Sequence, residues 1–260
     1  TRETGFDFLE ISIDDTDERI KRLDWSRSEK QEIKDLVRDL GIRIQSLSLS
    51  AHRRFPLGSK SSKTRSKGLD IFKKAINLSL DLGIRIILVA GADNYYQESD
   101  PDSRELYLEN LGKGFEYASG AGVMLALENW DIQINTLSQV MEYVDYFNSP
   151  WFQTYTDLGN LIFAGVDVLS QLDKVKGHIA ALHVKDTLPG QLRYVPPGEG
   201  KVPFVDAFEK LAEIGFQGPV VLELWTEEYP DALDLVTDAG QYIRTKMKKG
   251  WDRYQSNKEL

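Results

Sequence analysis

Asp39-Leu40-Gly41-Ile42-Arg43-Ile44, running on into Gln45-Ser46-Leu47-Ser48, is the stretch that decides the fold. A helical pattern ends at a glycine, which can take the left-handed conformation that turns a helix end back towards a sheet. A short apolar run follows at once, as a strand buried on both faces requires. The same six residue types return at Asp81-Leu82-Gly83-Ile84-Arg85-Ile86, leading into Ile87-Leu88-Val89. Looser copies stand at Thr4-Gly5-Phe6-Asp7-Phe8-Leu9, at Ala121-Gly122-Val123-Met124-Leu125-Ala126, and at Ile214-Gly215 ahead of Pro219-Val220-Val221-Leu222.

Between the copies the apolar residues fall at helical spacing, as in Leu69, Phe72 and Ile76. Leu108, Leu111, Phe115 and Ala118 do the same behind an Asp100-Pro101 pair that reads as a cap and first helical residue. Strands are expected around Phe8, Leu47, Ile87, Leu125, Tyr155, Ala181 and Val221. Strands alternating with helices predict an α/β fold, a TIM (β/α)8 barrel rather than an open doubly wound sheet. No Gly-x-Gly-x-x-Gly follows a strand, which counts against a dinucleotide site. A closed barrel of this kind has eight strands, and Glu3-Thr4-Gly5 reads as the tail of a helix. The expectation is therefore a barrel lacking its first strand and most of its first helix in this chain. Residues 1–250 would form that single domain and residues 251–260 a polar C-terminal tail.

Composition narrows the function. The chain has no cysteine, so disulfides, thiolate nucleophiles and Cys-built zinc sites are excluded. His and carboxylates are left as the strong metal ligands. A net charge of −9 argues against a nucleic-acid partner, which needs a basic footprint. No apolar run approaches a membrane span, and no signal peptide opens the chain, so a cytoplasmic protein with no membrane partner is expected.

In a β/α barrel the site lies at the carboxyl ends of the strands. Four consecutive expected strands end in hard ligands: Glu128, Asp157, His183 and Glu223. Singly, each could be a helix cap, a turn or a core histidine. Jointly, three carboxylates on one rim repel one another unless a cation joins them, and the set suits one divalent ion, Zn or Mn. Two such glutamates, facing each other across a ketose chelated through carbonyl and hydroxyl, could move a proton from one face to the other. Proton transfer between adjacent carbons by one base would instead give aldose–ketose isomerisation. Further substrate contacts are expected from His52, Arg53, Arg54 and Ser59 on the loop after the Leu47 strand, and from Lys185 and Glu199. Glu10 would face the site from the first visible strand. Tyr95 and Tyr96 read as an apolar wall or an interface, and His178 as structural.

Several runs are more specific than a generic barrel. They are Gly5-Phe6-Asp7-Phe8-Leu9-Glu10, Asp17-Glu18-Arg19 with Leu23-Asp24-Trp25-Ser26, and Ser50-Ala51-His52-Arg53-Arg54-Phe55-Pro56-Leu57-Gly58-Ser59. To these add Tyr95-Tyr96-Gln97-Glu98, Asp157-Leu158-Gly159-Asn160, His183-Val184-Lys185-Asp186-Thr187 and Gly198-Glu199-Gly200. At these residues the chain resembles the xylose-isomerase-like TIM barrel superfamily and, within it, the L-ribulose-5-phosphate 3-epimerase family of bacterial L-ascorbate utilisation. The resemblance implies a metal site at Glu128, Asp157, His183 and Glu223, with the two glutamates as acid and base. It implies C3 epimerisation between L-ribulose 5-phosphate and L-xylulose 5-phosphate through an enediolate, and a homodimer. Asn129-Trp130 after Glu128 departs from the apolar pair more usual in the family. A hexulose-6-phosphate isomerase shares the scaffold and these motifs, and a non-catalytic sugar-phosphate-binding remnant is the reading from another class. An abasic-site endonuclease would need more histidines and a basic groove than this acidic chain has.

Overall fold

The computed structural model describes residues 1–96, 98–130, 133–227 and 229–258. Gln97 of the Tyr95-to-Glu98 run and the last two residues of the expected tail lie outside the described residues. The strands are β1 (Phe8–Ser12), β2 (Arg43–Leu49), β3 (Ile86–Ala90), β4 (Met124–Glu128), β5 (Phe152–Asp157), β6 (Ile179–Val184) and β7 (Val220–Leu222). They form one sheet in chain order, and every ladder is parallel. All seven expected strand centres fall inside these ranges.

The repeated glycine motif has one structural meaning. Gly41 and Gly83 take φ of 63° and 76°, the left-handed region that a side chain resists. Each is followed by an amide that reaches back five residues: Ile42 to the Val37 carbonyl at 3.0 Å, and Ile84 to the Ser79 carbonyl at 2.8 Å. Phe6 to Thr1, Val123 to Ala118 and Phe216 to Leu211 repeat the bond at 2.9 Å. The bond closes the helix end and aims the chain into the next strand.

Alternation along the strands then sorts side chains into two layers. Ile87, Val89, Leu125 and Leu127 join the core between sheet and helices, packed with Ile71, Phe72, Ala75 and Leu111. Leu182 and Val184 do the same on the other side, with Phe204, Phe208 and Ile243. Ile86, Leu88, Ala126, Tyr155, Ala181 and Val221 point the opposite way and form the plug of a barrel interior. The sheet curls far enough for Tyr155 on β5 to hydrogen-bond Glu10 on β1. Among the described residues no ladder joins β7 to β1, and the two strands are the edges of the sheet.

Two expected boundaries move. The helix after Asp100-Pro101 begins at Ser103, because Pro101 and Asp102 form a turn in which the Ser103 amide bonds the Asp100 carbonyl. The segment read as a polar tail is helical through Lys258, as part of the Ala232–Lys258 helix. Its polarity belongs to an outer face: Arg253 pairs with Asp206, and Asn257 donates to Glu209. Among the described residues no helix is long and apolar enough to cross a membrane.

Candidate metal centre

Glu128, Asp157, His183 and Glu223 each stand two residues beyond a barrel-interior residue: Ala126, Tyr155, Ala181 and Val221. The strand period of two therefore puts all four on the inner face, one layer above the plug. Their donor atoms lie within 4.8 Å of one another, and among the described residues they form a group that could hold a metal ion. Glu10 joins the same layer from β1, two residues after Phe8.

The hydrogen bonds assign each group a posture. His183 Nε2 meets Glu10 Oε1 at 3.0 Å, while Nδ1 meets Glu128 Oε1 at 2.9 Å. Nδ1 also lies 3.7 Å from both Asp157 Oδ2 and Glu223 Oε2. Glu10 Oε2 accepts from Ser46 Oγ at 2.6 Å and Tyr155 Oη at 2.8 Å. A carboxylate so held orients the imidazole and leaves Nδ1 as the atom turned to the donor set. Asp157 uses Oδ1 to cap the next helix, accepting the Asn160 amide at 2.9 Å, and so presents Oδ2 inward.

Asn129 explains the departure after Glu128. Its side chain donates to the Asp157 carbonyl at 2.9 Å and accepts the Asp157 amide at 2.8 Å. Asn160 Nδ2 donates to the Asn129 carbonyl at 2.9 Å. The ends of β4 and β5 are thereby sewn together beyond the reach of the ladder, which fixes two of the four donors relative to each other.

The charges are strongly coupled. Burial pushes the Glu128 carboxyl up to about 7, against the pull of His183. Burial opposes charge on Glu223 too, but the cations of Lys185 and His183 outweigh it and hold that carboxyl down to about 2. Burial raises Asp157, with Lys185 resisting. For His183 burial works against the imidazolium, and Glu10 and Glu128 reverse the outcome and raise it well above the usual range.

A cavity of about 700 Å³ opens over this layer, lined by Glu10, Glu128, His183 and Glu223 and walled by Arg53, Trp130, Arg193 and Trp225. Of the expected loop contacts, only Arg53 lines it; its guanidinium pairs with Asp14 at 2.7 Å and lies over Tyr95 and Trp130. His52 is buried against Phe72 with Nε2 on the Gly68 carbonyl, and burial lowers its imidazole to about 4. Arg54 pairs with Asp17 on the surface. Ser59 is buried and accepts the Ser61 amide. Glu199 is exposed on its loop, away from the cavity lining. Glu10 lines the cavity, yet both its oxygens are engaged by the protein. Lys185 reaches the donor set itself, bonding Asp157 and Glu223. Tyr95 and Tyr96 pack edge to face beside the cavity wall, and His178 bonds Gln153 at the foot of β5.

Tyr155, Arg193 and Trp225 were not singled out from the sequence as site residues, whereas Asn129 and Asn160 stood out there only as a departure and as part of a motif. Tyr155 sits in mid-strand, where strand-end positions do not direct attention. Its signal was a bulky polar-tipped residue among the small interior residues of β4 and β6.

The family model for xylose isomerase-like TIM barrels matches residues 1–246. L-ribulose-5-phosphate 3-epimerase UlaE of Escherichia coli O157:H7 is 45% identical over 246 residues, covering 94% of this chain and 87% of that protein. The UlaE of Shigella sonnei strain Ss046 matches to the same extent. Among solved structures, an L-ribulose 3-epimerase superposes with a TM-score of 0.78 at 21% identity, over 98% of this chain and 89% of that one. A D-psicose 3-epimerase gives 0.78 at 16% identity, over 94% and 90%. With its strand order, its inward donor layer and these likenesses, the chain belongs to the xylose isomerase-like TIM barrel family.

Proposed function

We propose that the chain is an isomerase: a metal-dependent epimerase that interconverts L-ribulose 5-phosphate and L-xylulose 5-phosphate at C3. The observation that carries this reading is a donor set in which two glutamates from separate strands, Glu128 and Glu223, meet Asp157 and His183 within 4.8 Å. Two carboxyl groups brought to one centre from separate strands can serve as acid and base on opposite faces of a bound ketose. The 45% identity to L-ribulose-5-phosphate 3-epimerases supports the substrate.

The donor chemistry of two glutamates, an aspartate and an imidazole fits one divalent ion, Zn²⁺ or Mn²⁺, held by Glu128, Asp157, His183 and Glu223. Such an ion supplies Lewis-acid polarisation of a ketose carbonyl and its neighbouring hydroxyl. Glu223 accepts the C3 proton, the C–H electron pair enters the C2–C3 enediolate, and Glu128 returns a proton to the opposite face. In the reverse direction the two exchange roles. Glu10 holds the His183 ring through Nε2, and Trp130 and Trp225 restrict water beside the reacting carbons. Arg53 and Arg193 on the cavity wall supply the charge a terminal phosphate needs. A homodimer in the cytoplasm is part of the same reading.

The test is proton exchange into L-xylulose 5-phosphate in D₂O, after EDTA treatment and again with Mn²⁺ or Zn²⁺ restored. Metal-dependent deuterium uptake at C3 with formation of L-ribulose 5-phosphate is expected, and is lost in Glu223→Gln. Absence of exchange from folded, metal-loaded protein would overturn the reading. Deuterium at C1 of a hexulose 6-phosphate would replace it with the isomerase.

A further inference from the structure

Lys185 follows His183 by two residues and therefore continues along the inner face of β6. It is only 1% exposed, an unusual place for an ammonium group, whose removal from water costs several kcal/mol unless it is closely paired. Its Nζ lies 2.7 Å from Asp157 Oδ2 and 2.5 Å from Glu223 Oε2. These are the two oxygens that also face His183 Nδ1, each at 3.7 Å. The ammonium thus takes the very oxygens that Asp157 and Glu223 would offer a divalent ion.

Its seat is built for it. Gly159, at the start of the helix after β5, leaves room for the lysine stem: a Cβ there would lie 2.5 Å from Lys185 Cγ. Trp130 and Trp225 each place a ring centroid 5.4 Å from Nζ, a distance at which an aromatic face attracts a cation. The two indoles give the ammonium somewhere to lean when the carboxylate oxygens are engaged elsewhere. Without a cation between them, Glu10, Glu128, Asp157 and Glu223 would crowd four carboxyl groups around one imidazole.

We infer that Lys185 is a tethered cation of the centre. It holds Asp157 and Glu223 together when no metal is bound, and it competes with the divalent ion for their oxygens, so that it sets the metal affinity. This rests on the reading of the donor set as a metal site. Lys185 is on this view a positioning residue, and its effect is read in binding and stability rather than in turnover alone.

The experiment uses the EDTA-stripped protein as wild type, Lys185→Met and Lys185→Arg. Thermal unfolding is followed without metal, and Mn²⁺ and Zn²⁺ affinities are measured by competition with a chromophoric chelator. Lys185→Met should melt about 5–10 °C lower without metal. It should also bind either ion about ten-fold tighter or more, because a like charge has left the site. Lys185→Arg, which keeps the charge, should stay near wild type in affinity. Unchanged or weaker metal binding by Lys185→Met would overturn the inference while leaving the metal site standing. Absence of metal binding in all three proteins would instead overturn the metal reading, and the inference with it. Should Lys185→Met not fold, the ¹⁵N resonance of the Lys185 ammonium in wild type decides. It is identified by its loss in Lys185→Arg, and it should shift on adding Zn²⁺; a resonance that does not move sinks the proposal.

Discussion

Glu128 and Glu223 reach the same centre from unlike ground. Glu128 ends a strand with a ladder on both sides, and the Asn129 and Asn160 amides sew that strand to its neighbour. Glu223 follows a strand of three residues that pairs on one side only among the described residues, its own amide on the Val184 carbonyl. Cavities of about 700 and 360 Å³ run along the outer edge of that strand and the facing edge of β1. The two carboxyl groups differ accordingly: Glu128 is closed in and carries its proton up to about 7, while the Glu223 side chain is 28% exposed and leans on Lys185. One glutamate is thus held by a two-sided wall and the other by a one-sided edge strand, and the sheet sets them on different strands of the same donor layer.

The sharpest way to break this comparison is to neutralise each glutamate in turn. Glu128→Gln and Glu223→Gln should each cut epimerase turnover by roughly a thousand-fold, the scale of a lost acid or base. Their effects on metal-free stability at pH 8 should have opposite signs. The Glu128 carboxyl is raised above its unfolded value, so ionising it costs stability as pH climbs from about 4.5 through about 7; glutamine removes that cost, and melting should hold or rise. The Glu223 carboxyl is depressed, so its stabilisation is present at neutral pH and lost as pH falls through about 4.5 towards about 2. Glutamine there should lower the melting temperature. Equal signs in the two variants would dissolve the distinction.

Asn129→Ala probes the stitching of the wall. It removes both side-chain bonds to the Asp157 backbone and leaves buried polar groups unpaired, which should cost about 2–4 kcal/mol by denaturant unfolding. Leu222→Ala on the partly exposed edge should cost less than Leu125→Ala, which is fully buried in the wall.

Hydrogen exchange reads the same contrast in the wild-type protein. Amides of β4 and β5 should exchange about a hundred-fold more slowly than those of β7, where a one-sided ladder opens locally. The smallest effect expected is on pH. Metal binding needs Nδ1 of His183 free, and that imidazole holds its proton more tightly than usual. Affinity for Mn²⁺ should therefore rise about ten-fold per unit between pH 6 and 7, with proton release detectable by calorimetry in buffers of different ionisation enthalpy.

The elements and the donor layer were legible because both are local. A Gly after a helical period announces the turn, and a strand of known direction puts its last inward residue on the rim. That is why Glu128, Asp157, His183 and Glu223 could be read off four strand ends. The loop after β2 misled because two arginines, a histidine and hydroxyls look alike in sequence, whether they face a cavity, a salt bridge or the core. Arg53 lines the cavity, Arg54 pairs with Asp17, and His52 is buried on the Gly68 carbonyl. The polar tail was misjudged for a related reason: composition does not distinguish a loose end from the outer face of a docked helix.

The chain by itself determined the seven strands, the turns between them and the identity of the inward donors, since each depends on neighbours a few residues away. Only the curvature of the sheet decided whom those donors would meet. Glu10 holds His183 across 173 residues of sequence, and Tyr155 reaches Glu10 across 145. Lys185 could be placed on the inner face by periodicity, but its pairing with Asp157 and Glu223 depends on how far adjacent strands are staggered around the barrel. Periodicity is written along one strand, whereas stagger and curvature arise from packing all of them at once.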